Sequence, residues 1–190
     1  LGLGSPLESN QALIQLALVG LMNDHFKPGE VLLWDPIFNK EDITFIESFG
    51  YKVEEEGSYN KHHLYYLPHF PIEELEKFIN DGKPQYLLSN DLTEYAIKLT
   101  DLQYFQKYPT CATMNQLLDP NSGGSVDDGF TIVKKKKKKK KKQHEEQPTP
   151  IITYNLEEMY FSKVHAIPIN YKKHSDLFNG FTDLSMMTLT

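Results

Sequence analysis

Arginine is absent from this chain: all 20 basic residues are lysines. The chain therefore lacks the bidentate fork that matches phosphates and guanine edges. Nine of the lysines form one run, Lys134 to Lys142, leaving eleven to face 26 acidic residues. The folded part is strongly acidic, which argues against nucleic acid as its partner. Cysteine occurs once, at Cys111, so no internal disulfide can form. There is also no Asn-x-Ser/Thr acceptor, and both absences suit a reducing compartment. Long apolar runs are missing as well. The longest, Ala12 to Met22, is interrupted by Gln15 and falls short of the roughly 20 residues a membrane helix needs, so no membrane partner is expected. His62 and His63 are too close together and too poorly supported for a zinc set, and no metal site is expected. What the chain does have is core material. With 39% apolar and 12% aromatic residues over 190 positions, it can build slightly more than one average domain of about 150 residues.

The spacing of that material alternates. Ser5-Pro6-Leu7-Glu8 has capping-box spacing, which predicts a helix starting at Ser5. The helix is apolar almost all round through Met22, as expected of one buried between layers. Val31 to Trp34 is an unbroken apolar run stopped by Asp35-Pro36, the pattern of a strand covered on both faces. An amphipathic helix is expected from about Asn39 to Gly50, then strands at Tyr51 to Val53 and His63 to Leu67. A helix over Pro71 to Asn80 and a strand at Tyr86 to Leu88 follow. Ser89-Asn90-Asp91 then caps a helix carrying Leu92 through Leu102. A short helix near Leu156 to Val164 and strands at His165 to Ile169 and Phe181 to Leu189 complete the pattern. Strands alternating with helices predict an α/β fold, a three-layer Rossmann-like arrangement around a mostly parallel sheet. A Gly-x-Gly turn ahead of a helix normally follows a buried strand, so the sheet is expected to lack its first strand, which would lie upstream of Leu1. Residues 119 to 150, rich in Asp, Asn, Ser, Gly, Lys and Gln, read as a disordered low-complexity insert bearing the poly-Lys run. Residues 1 to 118 and 151 to 190 are expected to form one domain around it.

Several blocks along this pattern resemble a known family. Leu-Gly-Leu-Gly-Ser at 1 to 5, Gln-Leu-Ala-Leu at 15 to 18, Asp-Pro-Ile-Phe at 35 to 38 with Asp42, Leu-Tyr-Tyr-Leu-Pro-His at 64 to 69 and Leu-Leu-Ser-Asn at 87 to 90 look like successive blocks of the sensitivity-to-red-light-reduced domain family. Phe178-Asn179 and the segment 181 to 185 are similar to its C-terminal block. The resemblance implies a regulatory protein of cytoplasm and nucleus, in light and circadian signalling or microtubule-related processes, with no established reaction. It implies protein partners that the residues do not specify. The Lys tract and the lack of Arg point toward the fungal branch. Where many relatives read Pro-His-Cys-Pro, this chain has Pro68-His69-Phe70-Pro71, so a thiolate role there is not available.

Open α/β sheets bind ligands beyond the carboxyl ends of their strands. Gly2, Gly4 and Ser5, Asp35, His69 and Asn90 each follow an expected strand and are the candidate ligand-binding residues. His69, as an imidazole, is the candidate catalytic acid or base of a Rossmann-like transferase or hydrolase, the alternative to the regulatory reading. Asp35, about 30 positions after the first glycines, stands where dinucleotide and adenosyl-methionine enzymes hold ribose hydroxyls. With only two glycines, and Glu8 repelling anions at the helix start, an uncharged or nucleoside-like small molecule suits the site better than a dinucleotide, and the cofactor stays unspecified. The plainer readings are that Asp35 accepts backbone N–H groups in a turn and that His69 is a hydrogen-bonded loop imidazole. The Lys run reads either as a polyanion contact or import signal or as a self-repelling tract.

Overall fold

A computed structural model describes residues 2–118, 152–169 and 184–190; the insert at 119–150 and the block at 178–183 lie outside the described residues. The fold is mixed α/β. Helix α1 spans Asn10–Phe26, β1 Leu32–Leu33, α2 Lys40–Glu47, β2 Lys52–Val53 and β3 Leu64–Leu67. Helix α3 covers Ile72–Gly82, β4 Tyr86–Asn90, α4 Leu92–Lys98, α5 Asp101–Lys107 and α6 Pro109–Leu118. A single 3-10 turn, Leu156–Glu158, precedes β5 at Val164–Pro168 and β6 at Leu184–Leu189.

Local chemistry accounts for most of these boundaries. Asn39 and Asp42 close a reciprocal capping box at the start of α2, and Gly50 turns the chain out of it at φ 81°. Asp91 accepts from the Thr93 N–H to start α4. The stretch expected as one helix from Leu92 to Leu102 is instead two. Leu99 is extended, and Thr100 caps α5 in a second box with Gln103, whose side-chain oxygen receives the Thr100 N–H. Helix α1 likewise begins four positions later than its first capping signal. The Ser5 hydroxyl accepts the Glu8 N–H as the spacing predicts and donates to Asp42, but residues 6–8 form only a turn, and Ser9 caps the helix. Nor is α1 sandwiched between layers: Ala12, Gln15 and Leu16 are buried, whereas Leu13, Leu21 and Phe26 are exposed.

The strands form two small sheets, β1-β2 and β3-β4-β6-β5. β1 and β2 are parallel, as are β3 and β4, but β6 runs antiparallel to both β4 and β5. The sheet is therefore less uniformly parallel than the alternation of elements predicts, because a final strand can insert between β4 and β5 in the opposite sense without any crossover. Alternation along the strands separates two faces. Tyr65, Leu67, Leu87, Met187 and Leu189 pack with Leu75, Phe78 and Ile79 of α3 and Met114 of α6. Leu88 and Leu184 on the other face pack with Ile14, Leu18 and Met22 of α1 and with Tyr66. Tyr66 also packs with Leu3, Leu16, Leu33 and Ile46, so α1 and Tyr66 join the two sheets.

Between β1 and β3 lies a cleft of about 730 Å³, walled by Val19 and Met22 of α1, Leu33, Tyr66 and Met186 among others. Each of these strands ends its own sheet. The carbonyls of Val31 and Leu33 receive the N–H groups of Lys52 and Glu54, and the alternation of backbone direction then aims the N–H and C=O of Leu32 away from β2. At the top of the cleft, Gly4 donates to Asp35 just beyond β1, and Gly2 is packed against the Pro68 carbonyl just beyond β3. A single chain thus fills the space between the two strand ends there.

Candidate functional site

The residues singled out as strand-end ligands meet at one end of the fold. Asp35 Oδ2 accepts the Gly4 N–H at 3.0 Å and Oδ1 accepts the Ile37 N–H at 3.1 Å. Asn90 Oδ1 accepts the His69 N–H at 2.8 Å, while its Nδ2 donates to the Phe70 carbonyl and to the Tyr95 hydroxyl at 2.7 Å. Ser5 is buried, with its hydroxyl donating to Asp42 Oδ1 at 2.8 Å. Asp42 is fully buried and also receives the N–H groups of Leu7 and Asn39. Every acidic or amide side chain in this ring therefore ties one strand-end loop to another.

That geometry divides the candidate set. Gly2, Gly4 and His69 line a small cavity of about 210 Å³ together with Leu3, Ser9, Gln11, Ala12 and Gln15. Ser5, Asp35 and Asn90 do not line it; their polar atoms hold the surrounding loops. Gly2 and Gly4 have φ of 70° and 79°, the left-handed region where a side chain is strained. At Gly2 a Cβ would also stand 3.1 Å from the Phe70 ring and 3.2 Å from the Pro68 carbonyl, so glycine is required twice over. His69 is exposed and, unusually for a non-glycine residue, has φ 52°. The hydrogen bond from its own N–H to Asn90 holds it in that conformation.

Two contributors escaped the pattern of strand-end residues. Asp42 sits in the first turn of α2, and its sequence signal was its spacing of three from Asn39. Gln15 lies in the middle of α1, and its signal was being the lone polar residue in the run from Ala12 to Met22. Away from this end, the buried Glu76 receives the N–H groups of Thr110 and Cys111, each at 2.8 Å, and so caps the N-terminus of α6. Burial, followed by the Glu76 charge, pushes the Cys111 thiol well above its ordinary pKa, which keeps it protonated and unreactive. Among the described residues no group of three His, Cys, Asp or Glu side chains is placed to hold a metal ion, and no helix is long and apolar enough to cross a membrane.

The family model for the SRR1 domain matches residues 1–188. No curated protein and no solved structure matches the chain.

Proposed function

Because this chain belongs to the SRR1 domain family, we propose that it is a regulatory protein acting in signalling, circadian or microtubule-related processes of cytoplasm and nucleus, through protein contacts and a small molecule held in the cavity beneath Gly2, Gly4 and His69. The observation that carries the ligand part is the cavity itself. Two left-handed glycines and a left-handed histidine surround it. The glycines adopt that conformation without strain, whereas at His69 it is strained, and such strain persists where the surroundings hold it in place, characteristically at ligand sites. Its lining is neutral apart from the His69 ring, which favours an uncharged ligand over a pyrophosphate.

A cavity-filling variant tests this. Ala12→Leu enlarges a residue that lines the cavity within a helix that favours leucine. Cells in which the variant replaces the wild-type protein should lose the regulated phenotype, scored as sensitivity to a microtubule-depolymerising drug, while the purified variant keeps its circular dichroism and melting profile. A folded Ala12→Leu protein with full cellular activity would remove the small molecule from the reading.

The second reading, an enzyme using His69, is favoured by the exposed imidazole at the rim of the cavity. Asp35 and Asn90 anchor the loops around it, their oxygens each accepting a backbone N–H group. His69→Gln preserves a polar group there without its acid–base range. Retention of cellular activity by that variant counts against catalysis.

A further inference from the structure

Gln15 is 2% exposed, sits within α1 among apolar neighbours, and its side-chain amide makes no hydrogen bond among the described residues. A buried amide in that state costs free energy that leucine or methionine at the same position would not. Its polar atoms are nevertheless not sealed, unlike the buried hydroxyls of Ser89, Tyr104 and Ser185. Gln15 lines a small pocket with Gly2, Gly4, Ser9 and His69.

We infer that Gln15 is the reading group of this cavity and that its ligand is a neutral planar molecule presenting a hydrogen-bond donor beside an acceptor, such as a carboxamide or an adenine-like base edge. The inference rests on the small-molecule part of the proposed function and gives that molecule its chemistry. A glutamine amide offers one carbonyl and one NH₂ on a rigid plane, and it pairs bidentately with a donor and acceptor set side by side, as it does with the N6 and N7 edge of adenine. No lysine, aspartate or glutamate is among the described residues lining the cavity, so no permanently charged side chain there selects for an ion. The pocket measures about 210 Å³ and is open to solvent, below the usual range of about 300 to 1,000 Å³ for drug-sized ligands, so what it can contact is about one small ring system. Ala12 and Leu3, both buried, supply apolar walls against which such a ring can lie.

The test compares wild type, Gln15→Met and Ala12→Leu in thermal-shift titrations of the full chain with adenine and with nicotinamide, using purine, which lacks the exocyclic donor, as control. Methionine conserves the volume of glutamine and removes only its amide. In the absence of probe, Gln15→Met should melt about 2 to 6 °C above wild type, because an unpaired buried amide has gone. Wild type should shift saturably with adenine or nicotinamide and less with purine, and both variants should lose that shift. A variant that is more stable yet blind to the probe is the signature of a binding group; a structural glutamine would give the reverse. A probe shift retained by Gln15→Met but lost in Ala12→Leu overturns the role of Gln15 and leaves the cavity as a site. No saturable shift of wild type with either probe overturns the ligand class assigned here, and the cellular outcome for Ala12→Leu then decides separately whether the cavity holds another molecule.

Discussion

An apolar strand added ahead of Leu1 should enter the cleft between β1 and β3 and join the two sheets. The perturbation is a five-residue extension, Val-Ile-Val-Ile-Val, fused to the N-terminus, with Val-Ile-Pro-Ile-Val as its control. Residues 2–4 already lie between the carboxyl ends of β1 and β3, tied to Asp35 on one side and packed against Pro68 on the other, so a strand leading into them would run parallel to both. Apolar walls flank the cleft, with Leu33, Tyr66 and Met186 among them, and the N–H and C=O of Leu32 point toward it. Burying five such side chains contributes about 1.5 to 3 kcal/mol each, or roughly 7 to 15 kcal/mol, and ordering five residues costs about 7 kcal/mol. The middle of that range leaves a net gain of about 4 kcal/mol, which for a chain of this length raises the melting midpoint by about 8 to 16 °C. Differential scanning calorimetry gives the midpoint, and hydrogen exchange should show the Leu32 amide newly protected. Proline lacks the N–H and breaks the ladder, so the control should gain much less. Equal midpoints for the two extensions, or an unprotected Leu32 amide, would refute the reasoning.

Three further outcomes follow from the hydrogen bonds and burial at named residues. Asn90→Ala removes the acceptor for the His69 N–H and the donor to Phe70 at a site that is 6% exposed; it should cost about 2 to 4 kcal/mol, measured by urea denaturation, and a cost below 1 kcal/mol would show that the loops are held by other means. The Glu73 carboxyl is held below its ordinary pKa chiefly by the Tyr108 hydroxyl, which donates to it at 2.6 Å. A depressed folded-state pKa gives stability that is present above the unfolded carboxylate pKa and lost as pH falls through the folded value, so Tyr108→Phe should move the NMR titration of Glu73 upward and flatten that part of the acid limb. Cys111, buried and with its thiol pKa raised, should resist iodoacetamide at neutral pH in the native protein and react at once in urea. Its linkage runs the other way: stability is fully present below the unfolded thiol pKa and declines as pH rises above it, as the unfolded thiol ionises first.

The order and type of most elements are legible in the sequence because they depend on neighbours a few residues apart. Apolar alternation marks β3, Asn39 three residues before Asp42 marks α2, and Asp91 marks α4. The meeting of Gly2, Gly4, Asp35, His69 and Asn90 at one end follows from the rule that parallel strands end together. What each side chain does there was decided by contacts 20 to 40 positions apart, on which local pattern is silent. Asp35 accepts the Gly4 N–H across 31 positions and Asn90 the His69 N–H across 21, which makes both of them loop anchors. Asp42 receives the Ser5 hydroxyl across 37 positions while Ser5 Oγ still accepts the Glu8 N–H, yet the helix itself starts only after Ser9. The antiparallel insertion of β6 between β4 and β5 was equally beyond local reading, since the side-chain pattern of a strand reads the same for either direction of pairing. Gln15 shows the division most plainly: the sequence marks it as the one polar break in an apolar helix, but only packing shows that this break lines a cavity, because a helix turned by one residue would have sent the same amide into water.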